Sequence, residues 1–229
     1  MKILVAGTSF VPNEQTRELV TLWHRVFRHL NPDEDFILID AGGPFDPRAF
    51  LPSGTNIFRF DENVGAITQG GKDGAGRGCA KAIELAIAGG YDYVAVYETD
   101  FILAHALRPI FERMHRAGVK VASPGLAAPY YFIEWGVLFL NVRYAQAIKF
   151  VERYDWVNTP RWPLVEMRLE KMFGDDLFLL PFRGLRNEHN QVNVANIANA
   201  FPYGPPDWLT HCADMNVYAR WLDLLRITP

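Results

Sequence analysis

Two acids two positions apart, Glu98 and Asp100, come after an apolar and aromatic run from Tyr93 to Tyr97. Side chains alternate faces along an extended strand, so positions 98 and 100 leave the strand in the same direction. Two converging carboxylates offer hard oxygen donors, which suit a divalent cation such as Mg2+ or Mn2+ and, through it, a diphosphate. The competing reading is that Asp100 merely caps a following helix.

The run that carries these acids, with Gly89-Gly90 before it, reads as a central strand buried on both faces, as parallel sheets require. The carboxyl ends of such strands are where open α/β sheets bind their ligands. Upstream, Lys2–Ala6 is a compact apolar run closed by Gly7-Thr8-Ser9. A helical pattern comes next over Asn13–Leu30, with Leu19, Leu22, Trp23, Val26 and Phe27 on one side. A second strand spans Phe36–Ile39, ending at Asp40, and a short third strand spans Asn56–Phe60. This strand–helix–strand order predicts a parallel sheet. Asp40 is placed either to hydrogen-bond a ribose or base, or to close the Gly42-Gly43-Pro44 turn.

Asp61–Gly78 holds six glycines, from Gly65 to Gly78, and leads into an amphipathic helix from Cys79 that ends at Gly89-Gly90. Backbone of this kind before a helix can present N–H groups to phosphate, and Lys72 and Arg77 favour an anion there. Neither the Walker pattern nor the dinucleotide fingerprint is matched in its proper place, and a plain surface loop is the competing reading. Beyond Asp100, helices are predicted over Leu107–Ala117, Tyr144–Tyr154 and Leu164–Phe173, and strands over Val119–Ser123, Val137–Asn141 and Leu177–Phe182. A last short helix is predicted over Asn216–Leu225.

The chain has 229 residues with a formal net charge of −3, 49% apolar and 14% aromatic. That composition supports a substantial core and argues against a generally basic nucleic-acid binder. Cys79 and Cys212 are the two cysteines, which supports neither a disulfide framework nor a cysteine-rich zinc site, and suits a reduced cytosol. No apolar stretch reaches the length of a membrane span and the first residues do not form a signal peptide, so a cytoplasmic protein without stable membrane insertion is expected.

Taken together, these features resemble the GT-A fold glycosyltransferases, in a form similar to family 2 with Glu-x-Asp in place of Asp-x-Asp. The residues that carry the resemblance are Lys2–Thr8, Asp40, Asn63-x-Gly65, Arg77 at the helix start, Gly90-Tyr91-Asp92-Tyr93 before Glu98-Thr99-Asp100, and Gly136–Asn141. They cover roughly residues 1–145. The resemblance implies one α/β domain over 1–229, with a mostly parallel central sheet flanked by helices. A nucleotide-sugar half (1–125) would precede an irregular acceptor half (126–229).

It implies transfer of a sugar from a UDP- or GDP-sugar to a hydroxyl acceptor with Mn2+ or Mg2+, the cation neutralising the departing diphosphate. Gly7, Thr8, Asp40, Asn63, Gly65, Lys72, Arg77, Glu98 and Thr99 would bind the donor. Asp100 leads as metal ligand, with Glu98 and, from the C-terminal region as in several members, His211; a buried or capping histidine is the alternative.

A base is needed if the reaction inverts the anomeric centre, and Glu134, Asp175 and Asp176 are the candidates. Tyr130, Tyr131 and Trp135 could stack on a sugar or base, although aromatic residues are more often core. The acceptor is open among a glycan, a lipid-linked sugar, a protein, a small molecule and a modified DNA base. Two other readings compete: a non-catalytic nucleotide- or glycan-binding module, and a sugar nucleotidyltransferase, whose Gly-rich, Arg-containing signature after the first strand is missing from Gly7–Pro12.

Overall fold

A computed structural model of the chain describes residues 1–64, 74–103, 106–125, 136–157, 165–181, 209–211, 222–223 and 226–227. A seven-stranded sheet forms its centre. The strands are β1 (Ile3–Ser9), β2 (Asp35–Asp40), β3 (Ile57–Arg59), β4 (Tyr93–Glu98), β6 (Val121–Gly125), β7 (Val137–Asn141) and β8 (Leu177–Pro181), and they lie in the order β3-β2-β1-β4-β7-β6-β8. A two-stranded sheet pairs β5 (Phe101–Leu103) with β9 (Leu209–His211). β1 lies parallel between β2 and β4, and β8 is parallel to β6, whereas β7 runs antiparallel to both β4 and β6. The predicted mostly parallel sheet is therefore present, with one reversed strand inside it.

The alternation of side chains divides the core between the two faces. Ile3, Val5, Tyr93, Ala95 and Tyr97 pack on α1 (Glu14–Leu30) through Trp23 and Phe27, while Leu4, Ala6, Val94 and Val96 pack on α2 (Gly74–Ala88) through Cys79, Ala82, Ile83 and Ala86. α1 starts where its sequence says it should: the Asn13 side chain accepts the Thr16 N–H at 2.9 Å. Asn31 closes it, and the same side chain accepts the Leu107 N–H at 2.7 Å ahead of α3 (Arg108–Ala117). Asn31 thus fastens α3 beside α1 on the same face of the sheet.

The helix predicted over Tyr144–Tyr154 is two helices, α4 (Val142–Ala147) and α5 (Phe150–Val157). The break falls at Lys149, whose φ of 54° is left-handed. The amphipathic pattern continues across it because Phe150 and Tyr154 still reach the core with Ala145. α6 (Val165–Phe173) covers the same face and leads through a short 3-10 turn into β8. Among the described residues, no helix is long and apolar enough to cross a membrane.

Candidate functional site

A cleft of ≈ 350 Å³ opens at the carboxyl ends of β1, β2 and β4. Its acidic wall is Glu98-Thr99-Asp100. Its floor is Thr8, Ser9 and Ile39, and the rest of its wall includes Asn63, Ala41 and the first turns of α2. Several physical constraints bring these residues together. β1 and β4 pair in parallel with Thr8 opposite Glu98, and the chain turns at Thr99, whose N–H donates to the Thr8 carbonyl at 3.1 Å. The Glu98 N–H donates at 2.8 Å to the carbonyl of Gly136, at the entry to β7.

Asp100 leads into strand β5 rather than into a helix, so it is no helix cap. β5 is held by β9 with Phe101 opposite His211. The backbone of His211 therefore lies across from the residue next to Asp100, although the two are far apart in sequence. A side chain at Gly136 would overlap the Phe101 ring, so glycine there is what lets β7 start against the acidic turn.

Of the residues singled out in the sequence, Thr8, Asn63, Glu98, Thr99 and Asp100 meet in this cleft. Gly7 does not: it faces α1, and a Cβ there would overlap the Trp23 ring, so its small size serves packing. Asp40 is fully buried. Its carboxylate takes an ion pair from Arg59 at 3.2 Å and accepts hydrogen bonds from the Gly42 N–H and the Ser9 hydroxyl. Burial pushes its carboxyl above the ordinary range, against the opposing pull of the Arg59 charge and those hydrogen bonds. Of the two roles open to Asp40, it fills the turn-closing one, and Arg59 spans the turn further by donating to the carbonyls of Gly43 and Phe45.

Arg77 sits on α2 with its guanidinium 5.9 Å from the Tyr154 ring, towards α5 and not among the residues lining the cleft. Asp175 and Asp176 are exposed and precede β8, a strand parallel to β6 and so antiparallel to β7 and parallel to β4. They stand at the amino end of the parallel strands, across the sheet from the cleft. There Asp176 pairs with Lys120 at 2.7 Å, and the hydrogen bonds from Lys120 and Tyr144 hold its carboxyl below the usual range. The structure does not bring these two acids to the site. Gly65, Lys72, Tyr130, Tyr131, Glu134 and Trp135 lie outside the described residues, as does the side chain of His211.

Sequence reasoning missed Phe10 and Thr16, both of which line the cleft, whereas Ala75 and Gly78, which also line it, fall within the glycine-rich segment it marked out. Phe10 is 41% exposed, unusual for so large an apolar ring. A signal for it existed, because the loop after the first strand of an open α/β sheet borders the ligand crevice.

No protein-family model and no curated protein matches the chain. Solved structures do. GlyE of Streptococcus pneumoniae TIGR4, a glycosyltransferase, superposes with a TM-score of 0.61 at 12% identity over 99% of this chain and 61% of GlyE. The bifunctional glycosyltransferase WbbM gives 0.62 at 12% identity, over 100% of this chain and 50% of WbbM. The galactosyltransferase LgtC, solved with donor and acceptor sugar analogues, gives 0.51 at 16% identity over 100% and 97% of the two chains. The fold is GT-A.

At these identities the likeness is one of fold, and the chain spans only about half to three-fifths of the length of WbbM and GlyE. Within a GT-A fold, the cleft at the carboxyl ends of β1 and β4 occupies the position at which open α/β sheets bind ligands. Among the described residues, no three His, Cys, Asp or Glu side chains are close enough to hold a metal ion. Glu98 and Asp100 nevertheless provide two carboxylates on one cleft. That donor set fits Mg2+ or Mn2+, which take one or two carboxylates and complete their shell with phosphate oxygens and water.

Proposed function

We propose that the chain is a metal-dependent glycosyltransferase that moves a sugar from a UDP- or GDP-sugar to a hydroxyl acceptor. The observation that carries this reading is the convergence of Glu98, Asp100, Thr8 and Asn63 on one cleft of a GT-A fold. Asp100, with Glu98, would hold Mn2+ or Mg2+. The pairing of Phe101 with His211 supports His211 as a further ligand. When bound, the cation supplies Lewis-acid neutralisation of the diphosphate that leaves with the nucleoside.

The chain's own residues do the rest. β1 and β4 fix Glu98 and Thr8 in register, and Thr8, Thr99 and Asn63, which line the cleft, would contact the donor. Glu134 is the base we favour for the acceptor hydroxyl. Gly136, two positions on, lies against the acidic turn through the Glu98 N–H, whereas Asp175 and Asp176 stand across the sheet. Tyr130, Tyr131 and Trp135, which precede β7 in the chain, are suited by residue type to stacking on the acceptor.

The test is release of UDP or GDP from the corresponding sugar nucleotides with Mn2+ present. Asp100→Ala is expected to lower turnover on the order of 10²-fold or more, as loss of a transition-state charge contact does. Turnover in Asp100→Ala equal to that of the unaltered chain would remove the acids from the mechanism.

A further inference from the structure

A second hollow, of ≈ 510 Å³, lies at the opposite end of the sheet from the cleft, where the amino end of β4, the carboxyl end of β7, α3 and the start of α4 meet. The six residues of β4, roughly 20 Å of extended chain, separate the two. Its volume is in the range of small-molecule sites. Tyr93 and Asn141, opposite each other in the β4–β7 pairing, both line it. Tyr93 is 3% exposed, with its hydroxyl 3.2 Å from Nδ1 of His115. Arg108, Glu112 and Arg116 line the hollow as well, four positions apart and therefore on one side of α3, and Arg143 lines it from the start of α4.

The charges in this hollow are not all used within the fold. Arg108 is taken by Glu34, with two contacts of 2.8 Å to its carboxylate. Asp92 accepts the Lys2 N–H at 2.7 Å. Arg116 and Arg143 are exposed and make no ion pair among the described residues, although Glu112 stands one turn from Arg116. The Asn141 side-chain oxygen accepts the Tyr144 N–H at 3.0 Å, and its amide nitrogen donates to nothing among the described residues.

Arg116 has a structural reason to be where it is: it stands in the last turn of α3, where a cation complements the negative end of the helix dipole. Arg143 has no such reason, because it stands in the first turn of α4, where a cation is disfavoured. Nor does overall composition account for it, since the chain carries a formal net charge of −3. Two arginines from different elements thus share one hollow without being paired to an acid.

We propose that this hollow binds a small ligand bearing a phosphate or diphosphate group, held between Arg116 and Arg143 with the Asn141 amide as a further donor. A guanidinium stays charged at any working pH and presents a planar fork of N–H donors that matches phosphate oxygens. A phosphate has oxygens on all sides and can accept from two walls at once, whereas a carboxylate presents its two oxygens in one plane. The site is separate from the donor cleft and does not depend on the transferase reading, since the residues that line the one do not line the other.

The experiment is calorimetric titration of inorganic pyrophosphate, and separately of acetate, in metal-free Tris buffer at low ionic strength, where exposed charges are least screened. The proteins are the unaltered chain, Arg116→Gln, Arg143→Gln, Glu112→Gln and, as a control for the loss of one positive charge, Lys171→Gln on α6, which does not line the hollow. Pyrophosphate affinity is expected to fall about tenfold in each arginine variant, the scale of lost hydrogen bonds to a charged group. It is expected to rise several-fold in Glu112→Gln, which removes a like charge from the wall, and to stay unchanged in Lys171→Gln. Acetate is expected not to bind measurably over the same concentrations.

Both arginines are exposed and unpaired, so the variants are expected to melt with the unaltered chain. No pyrophosphate binding by the unaltered chain would overturn the site. So would undiminished binding in either arginine variant, an equal fall in Lys171→Gln, a fall in Glu112→Gln, or acetate bound as tightly as pyrophosphate. An Arg116→Gln chain that melts lower yet binds pyrophosphate normally would leave Arg116 the dipole role alone, and would overturn it as well.

Discussion

His24 provides the sharpest quantitative test of the packing that positions the cleft. It lies on α1 against the edge of the Phe36 ring, centroids 5.4 Å apart, is 6% exposed, and its Nε2 has no hydrogen-bond partner among the described residues. Burial, helped by the charge of Arg28 one turn along, lowers its pKa from 6.5 to about 4. The folded chain therefore resists protonation of His24 while the unfolded chain accepts it at the ordinary value. Above pH 6.5 the group contributes no penalty. As pH falls below 6.5 the unfolded state binds the proton first, and stability declines until the folded value near 4 is reached.

At about 1.36 kcal/mol per pH unit, the loss approaches ~2.5 kcal/mol by about pH 4.5. For a chain of this size that corresponds to roughly 5–10 °C in Tm. His24→Leu removes the titration and fits the apolar surroundings. Urea denaturation of both proteins, monitored by far-UV circular dichroism at constant ionic strength, is the assay. Carboxylate titrations common to both cancel in the difference. The gap between variant and unaltered chain should move by about 2.5 kcal/mol in favour of the variant from about pH 7.5 to about 4.5. A gap that stays constant over that range would refute a neutral, buried His24, and with it the tight α1–β2 contact.

Gly7→Ala should destabilise the fold by roughly 1–3 kcal/mol, since the new Cβ meets the Trp23 ring, as read by urea denaturation. Arg59→Met leaves the Asp40 carboxylate buried without its ion-pair partner, and should cost about 3–5 kcal/mol in the same assay; adding Asp40→Asn should recover most of it. Gly136→Ala pushes on Phe101 beside Asp100, so it should lower turnover of a sugar nucleotide more than it lowers Tm. Asp176→Ala cuts an exposed pair with Lys120 across the sheet from the cleft, and sugar-nucleotide turnover should stay unchanged.

The parts of the fold legible in the sequence are those where periodicity and burial agree. β1, α1, β2 and β4 show apolar runs of the right length with turn residues at their ends, and they stand close to where the sequence places them. The Glu98-x-Asp100 pair is visible because the apolar run Tyr93–Tyr97 stops abruptly at two acids spaced to leave the strand on the same face. The break at Lys149 is not, because both halves of the helical pattern point into one core and only the backbone reveals the change of direction. β5 escapes the sequence as well: three residues show no periodicity, and their partner β9 lies more than a hundred positions on.

Asp40 and Asp176 show why residue type and position in sequence do not by themselves assign a site. Each is an acid next to a strand, as Glu98 is. Asp40 is taken by Arg59, a residue whose pairing depends on β3 lying beside β2. Asp176 is at the wrong end of its strand, a fact that depends on β8 running parallel to β6, and no local pattern encodes strand direction. Glu98 and Asp100 differ from both because the turn that carries them is fixed from two sides, by the Thr8 carbonyl through Thr99 and by the Gly136 carbonyl through Glu98. A turn whose backbone is fixed before any ligand arrives loses little further freedom when its side chains engage one, which is what the proposed cation role of Glu98 and Asp100 draws on. What the sheet contributes at this position is preorganisation of the backbone: β1 and the entry to β7 hold the turn from which both acids project.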